Sequence, residues 1–217
     1  MTTKPEFWRA AIHLLQRNGF EVTKDMRILD FGCGAGQLVH HLRESGFDSV
    51  FGVDVDPSRF GMTPEATYLR DIGVLAAASL SPYKIPFDDQ TFDLVVSCQV
   101  LEHVRDLNAV GSELSRVMNK EGRALHLFPP KYRLVEAHMH IPFGNLITLY
   151  PYHLLWCALG LGNRSRPTHT AAERATLGLE KLRNNAFYRT ERQLRDTLSR
   201  HFTEVRFLDG SSESRFR

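Results

Sequence analysis

Ile28-Leu29-Asp30-Phe31-Gly32-Cys33-Gly34-Ala35-Gly36 is the stretch that decides the fold of this chain. From Met26 to Phe31 the residues are short, mostly apolar and stopped by glycines, which predicts a buried parallel strand. Gly32 and Gly34 carry no Cβ, so the chain can turn sharply and a ligand can approach the backbone closely. A helix over Gly36–Arg43 then starts at the turn, with unpaired N–H groups and a positive dipole end at its N-terminus. A turn of this kind can cradle a phosphate or a carboxylate.

Downstream, Ser49–Val53 reads as a second strand ending at Asp54. Parallel neighbours bring their C-terminal ends together, so Asp54 reaches a ribose beside the glycine turn. A carboxylate accepts the protons of both diol hydroxyls. The plainer role for Asp54 or Asp56 is to cap a helix that opens at Pro57. The dinucleotide pattern is GxGxxG; here the third glycine comes one residue early, at Gly36. Asp30 adds a carboxylate that is poorly placed against a pyrophosphate and well placed against an ammonium. The spacing therefore favours S-adenosylmethionine over NAD.

Further out, residues 6–18 predict an amphipathic helix with Phe7, Ala11, Leu14 and Leu15 near one face. Residues 72–84 come after a weak third strand and read as a short helix or a lid. Phe92–Ser97 is a β-branched strand, Leu107–Met118 a helix, and Arg123–Phe128 a strand closed by Pro129 and Pro130. In the C-terminal third, Thr190 caps a helix running toward Arg200 with Gln193 at its third position, and Phe202–Leu208 reads as a strand. This alternation implies a mostly parallel sheet covered on both faces.

Composition narrows the function classes. The 217 residues are 42% hydrophobic and 24% charged, enough for one large domain and incompatible with a disordered or collagen-like chain. Twenty-seven Lys and Arg against 25 Asp and Glu leave a net charge of +2, without the concentrated basic footprint of a nucleic-acid binder. Residues 181–217 carry a mild basic bias, nine Lys or Arg against five Asp or Glu. Cys33, Cys98 and Cys157 are odd in number, far apart and without CxxC, so neither a disulfide framework nor a zinc site is expected. The first residues lack a signal-peptide pattern, and a reducing, cytoplasmic setting is the expectation. Residues 137–163 contain no Lys, Arg, Asp or Glu. Pro142, Pro151, Asn145 and His153 argue against a simple span; a buried helix or cap, or an element touching a membrane surface, are the readings left.

The motifs ILDFGCGAG (28–36), VFGVDVDP (50–57), IPFDDQTFDLVVSCQVLEHV (85–104) and LSRVMNKEGRALHLFPP (114–130) together resemble the class I S-adenosylmethionine-dependent methyltransferases. YRTERQLRDTLSRHFTEVRFL (188–208) is similar to the tail of that family. The resemblance implies a Rossmann-like three-layer α/β sandwich with a mostly parallel seven-stranded sheet whose last strand is short. It implies one methyltransferase domain over residues 1–217, with 131–187 inserted as a cap or substrate-binding region. Carried over to this sequence, Asp30, Gly32, Gly34 and Gly36 shape the pocket for the methionyl part, Asp54 holds the ribose and Val55 packs on the adenine. Ser97, Cys98 and Gln99 line the pocket near the methionine moiety or the sulfonium. The family's adenine-facing acid stands close before its IPF segment. Here the nearest upstream acid is Asp71, fourteen residues before Ile85, with Ile72 as packing neighbour.

Methyl transfer from a sulfonium needs alignment and, for some acceptors, removal of a proton. No metal is implied, and Cys33 and Cys98 read as pocket or core fillers. His103, just beyond the fourth strand, suits a general base for a hydroxyl. Glu136, His138 and His140 form a second polar cluster in VEAHMHIPF, with the two histidines on one side if that segment is extended, where they are candidates for catalytic contact with substrate or, less favoured, for binding a metal. The fourth strand lacks the Asn/Asp-Pro-Pro-Tyr element of amide-nitrogen methyltransferases, which points to a small-molecule acceptor, and the charge-free stretch admits a hydrophobic one. The expectation is an enzyme that methylates a small molecule, at oxygen first with carbon or nitrogen open, without nucleic acid as partner and with peripheral membrane contact as an added option. The alternatives are a catalytically silent methyltransferase-like subunit and, less favoured by the glycine spacing, an NAD-dependent oxidoreductase.

Overall fold

The computed structural model of the chain describes residues 4–129, 131, 134–135, 139–162 and 168–208. It divides into two compact units, Met1–Pro129 and Pro130–Arg217.

The first unit opens with helix α1, Lys4–Arg17. Strand β1 (Ile28–Phe31) is buried at every residue, as a central parallel strand must be. It is followed by α2 (Gln37–Glu44) and β2 (Val50–Asp54). A 3₁₀ turn, Pro57–Gly61, leads to α3 (Pro64–Asp71) and β3 (Leu75–Ala77). A short antiparallel hairpin, β4 (Ser79–Leu80) with β5 (Tyr83–Lys84), precedes β6 (Phe92–Cys98). A 3₁₀ turn at Leu101–His103, α4 (Leu107–Val117) and β7 (Met118–Leu127) complete the unit.

The main sheet has the order β3-β2-β1-β6-β7 with every pairing parallel. Ile28, Val50 and Leu94 are register partners, and all three pack into one cluster with Phe7, Trp8, Ala11 and Leu15 of α1 and Leu38, Val39 and Leu42 of α2. Each fully buried large side chain of that cluster is worth roughly 1.5–3 kcal/mol. Their strand neighbours Leu29 and Val95, also register partners, point to the other side of the sheet, and α4 packs on β7 through a buried face that includes Val110, Leu114 and Val117.

Arg116 on α4 fixes the loop before β6. Its guanidinium donates to the carbonyls of Ile85 and Phe87 and pairs with Glu113 and Asp89, while Glu113 accepts the Ile85 N–H at 2.8 Å. Phe87 then packs edge-on against Phe51 and Phe92.

The fold class is as expected, with three local differences. The residues just before 72, where a weak third strand is expected, are helix α3, because Thr63 caps the Ala66 N–H at 3.1 Å and Pro64 sits in the first turn. The third strand and the hairpin instead lie inside 72–84, where a helix or lid was expected. The main sheet has five strands among the described residues, not seven. Phe202–Leu208 joins no ladder: Arg195 donates to the Val205 carbonyl at 2.6 Å and stacks over the Phe207 ring, so the segment is held by a helix side chain.

The second unit contains α5 (Tyr150–Ala158), α6 (Ala171–Asn185) and α7 (Glu191–Leu198). α6 and α7 each open with a complete capping box, Thr170 with Glu173 and Thr190 with Gln193. α5 and α6 pack around Met139, Ile141, Cys157, Ala175 and Leu182. Gly178 is the residue that lets Met139 in, since a Cβ there would lie 2.1 Å from the sulfur.

Candidate functional site

The C-terminal ends of β1, β2 and β6 meet at one edge of the sheet. Asp30 is fully buried on β1, between its register partners Gly52 and Val96. The turn after it uses left-handed backbone at Gly32 (φ 74°), Gly34 (φ 58°) and Gly36 (φ 71°). A Cβ on Gly32 would lie 2.4 Å from a methyl of Val100, so the close approach of the post-β6 loop depends on its absence. Gly52 likewise leaves room for Cys33, whose thiol would stand 2.8 Å from a Cβ at that position. Cys33 is thereby held in the core.

Asp54 closes β2 and is largely buried. One carboxylate oxygen accepts the Gly34 N–H at 2.8 Å and the other accepts the Asp56 N–H at 3.0 Å. Each oxygen keeps a lone pair for a further donor. The capping role falls to Asp56, which accepts the Ser58 N–H. Val55, directly after Asp54, is 48% exposed, an apolar surface beside a carboxylate. Ser97 and Gln99 stand at the end of β6. Gln99 holds φ 58°, uncommon for a residue with a side chain, and donates its N–H to Leu127 at 2.7 Å. Strained backbone of this kind collects at functional sites.

These residues fit a nucleoside that also carries an ammonium. Asp54 offers acceptors for two ribose hydroxyls, Val55 an apolar neighbour for a base, the glycine turn a close backbone approach and Asp30 a buried carboxylate behind it. The structure thus brings Asp30, Gly32, Gly34, Gly36, Asp54, Val55, Ser97 and Gln99 to one edge.

Asp71 is not part of this arrangement. It ends α3 ahead of β3, at the opposite end of the strand from Ala77, the register partner of Asp54, and its carboxylate is taken by Arg70 at 2.8 Å. The third strand follows Asp71 rather than ending at it, so the nearest acid before Ile85 in sequence lies at the wrong end of the sheet. On the Asp54 side, β3 runs into Ala78, which donates to the Asp54 carbonyl, and then into the hairpin with Tyr83. Burial, and after it the charges of Glu113 and Asp54, push the Tyr83 phenol well above its ordinary value of 10, so it stays a proton donor there. Ile72 is exposed.

Among the histidines, His103 ends the 3₁₀ turn after β6 and is exposed, beside the buried Glu102. His140 is exposed in the second unit with φ 56°. His138 lies outside the described residues, as does Glu136. Sequence reasoning passed over His126. Its Nδ1 is 2.7 Å from the Ser97 hydroxyl across β7 and β6, and burial pulls its pKa from 6.5 to about 4, so the ring is neutral at pH 7. The pairing depends on strand register, Ser97 opposite His126, which no spacing in the sequence announces. Among the described residues no cluster of three His, Cys, Asp or Glu could hold a metal ion.

Residues 29–126 match a family model described as a methyltransferase domain. An uncharacterized methyltransferase of Schizosaccharomyces pombe is 36% identical over 108 residues, covering 46% of this chain and 39% of that protein. A mitochondrial arginine-hydroxylase of Rattus norvegicus is 29% identical over 104 residues, covering 48% of this chain and 29% of that protein. The chain thus spans less than half the length of either relative. An S-adenosylmethionine-dependent methyltransferase from Mesorhizobium loti superposes with a TM-score of 0.54 at 16% identity, over 92% of this chain and 80% of that one, a likeness of fold. Over residues 29–126 the chain is thus similar to a methyltransferase domain, the likeness that the glycine turn and Asp54 share in their geometry.

Proposed function

We propose that this chain transfers a methyl group from S-adenosylmethionine to an oxygen of a small, largely apolar acceptor. The observation that carries the reading is Asp54, set at the end of β2 with one oxygen holding Gly34 of the turn and lone pairs left for ribose hydroxyls. When bound, S-adenosylmethionine supplies a methyl on a sulfonium, an electrophile that already has a good leaving group. The chain's part is placement. Asp54 and Val55 would hold the nucleoside end, the turn from Gly32 to Gly36 and Asp30 the amino-acid end, and Ser97 and Gln99 would line the pocket beyond them. A hydroxyl acceptor would have to give up its proton to a base. His103, exposed at the cofactor end of β6, is the base we assign. His126 is held by Ser97 and has a pKa too low for efficient proton removal at neutral pH.

Calorimetric titration of the chain with S-adenosylmethionine, S-adenosylhomocysteine and NAD tests the cofactor half of the reading. The first two should bind, and Asp54→Ala should weaken them about 100-fold, the loss of charge-assisted hydrogen bonds worth roughly 1.5–3 kcal/mol. A folded chain that binds neither, or that prefers NAD, overturns the proposal. In an acceptor screen, His103→Ala should lower kcat and leave cofactor affinity unchanged. Unchanged turnover in that variant removes His103 from the chemistry.

A further inference from the structure

Helix α5 is apolar on both of its faces. His153 and Cys157, one turn apart, point into the second unit's core and are fully buried. Pro151, Leu155, Ala158 and Leu159 recur at helical spacing on the other side, and all four are exposed, Leu155 at 55% and Leu159 at 65%. The approach to the helix continues this surface. Phe143 donates its N–H to Leu134, and Val135 bridges to Pro142, which sets Leu134, Val135 and Phe143 together, all exposed. Leu146, Leu149 and Tyr150 come next, exposed as well. A helix with no polar face belongs in a protein core or against lipid, and clustered exposed apolar residues mark an interaction surface.

Charge identifies the occupant. Residues 137–163 hold no ionisable acid or base other than histidine, tyrosine and cysteine, and the sequence brackets them with Lys131 and Arg133 before, and Arg164 and Arg166 after, against a single Glu136. Within the unit, Arg174 donates to the Cys157 carbonyl at the end of α5 and Arg183 to the Thr148 carbonyl before its start, so a guanidinium stands at each end of the helix. On α6 these are accompanied by Lys181 and opposed by Glu173 and Glu180. Apolar surface flanked by cations, with Tyr150 among it, matches the acyl boundary and anionic headgroups of a lipid leaflet. At nine residues, α5 lies on such a surface and does not cross it, and among the described residues no helix is long and apolar enough to span a membrane.

We propose that the outer face of α5, together with the turn around Phe143, docks the chain onto the surface of an anionic lipid bilayer. The proposal does not depend on methyl transfer, and it places a lipid-dissolved acceptor within reach of the chain if that reading also holds.

Flotation with phosphatidylcholine vesicles containing phosphatidylglycerol, and with pure phosphatidylcholine vesicles, tests it. The chain should float with the anionic vesicles and far less with the neutral ones. Leu155→Gln with Leu159→Gln should cut binding about tenfold or more, as the loss of buried apolar area requires. Leu80→Gln, an exposed leucine of the other unit, should leave it unchanged. Circular dichroism and thermal unfolding of the same variants report folding, and cofactor calorimetry is read separately, so a failure here is distinguishable from a failure of the cofactor reading. Absence of binding to anionic vesicles, or binding that the double variant retains, overturns the proposal. So does a stable dimer that the double variant converts to monomer, since a second copy would then be the occupant.

Discussion

The unit Met1–Pro129 and the unit Pro130–Arg217 dispose of their apolar residues in opposite ways. In the first, the apolar residues of the central strands are sealed: Ile28, Leu29, Val50, Leu94, Val95 and Val96 are all completely inaccessible. In the second, the most apolar helix of the chain leaves half its circumference outside, and the leucines before it do the same. A parallel sheet with helices on both faces has no free side, so its apolar runs declare burial. A small helical unit has no such guarantee, and the same residue types can there serve an external surface. The comparison shows that apolarity specifies inside only once an architecture has closed around it.

The largest blow to the closed half should come from Arg116→Ala. It leaves the carboxylate of Glu113, 13% exposed, without its partner and frees the loop carbonyls of Ile85 and Phe87. We expect a loss of about 3 kcal/mol in denaturant unfolding, the lower part of the range for breaking a buried pair. The pH dependence carries a signature. Arg116 and the Ile85 N–H hold the Glu113 carboxyl below its ordinary 4.5. Its contribution is therefore complete above that value and is lost as the pH falls through the lower folded-state pKa. The variant should show a smaller loss, because only the Ile85 N–H and the nearby Lys84 charge then hold the carboxyl down. If Arg116→Ala unfolds like wild type, the loop is held by Phe87 packing alone.

A second expected effect, of about 2 kcal/mol, concerns His126. Its folded-state pKa of about 4 lies below 6.5, so the unfolded chain takes up the proton first. The contribution is complete above pH 6.5 and declines as the pH falls toward 4, and the partial exposure of the ring keeps it below the full linkage value. Wild type should begin to lose stability near pH 6.5, before the carboxylates titrate, and His126→Gln should be flat across that interval. A wild-type curve that is flat there places the ring in water and dissolves the Ser97 pairing.

The smallest effect sharpens the contrast from the open side. Thr190→Ala removes the capping box of α7 and should cost about 1 kcal/mol. If the two units melt separately, only the transition of the second should shift, monitored by Trp156 fluorescence. A shift shared by both transitions means the units unfold as one.

Legibility in the residues divides along the same line. The strand-turn-helix of Ile28–Glu44 and the acid of Asp54 were legible because a parallel strand, a left-handed glycine turn and a helix N-terminus each restrict residue choice at known spacing. The third strand is hard to place because the residues before 72 have mixed polarity and are helix only through the cap at Thr63. Asp71 was then carried to the wrong end of β3. His126 escaped because its importance comes from sitting opposite Ser97, a pairing made by tertiary register. Phe202–Leu208 has the residue types of a strand, yet a single arginine on α7 holds one of its carbonyls. Side-chain capture of a backbone acceptor leaves no mark in a hydrophobic pattern.

The hydrogen bond from Gly34 to Asp54 has a consequence in time as well as in shape. Three left-handed glycines in five residues would, on their own, sample many conformations and leave an arriving ligand to wait for the right one. With the Gly34 amide tethered to the acid of the neighbouring strand, the loop is already set before any encounter. The entropy of ordering is then settled during folding rather than at binding. Capture should thus be governed by diffusion and orientation, and discrimination between nucleosides should appear in how long each one stays.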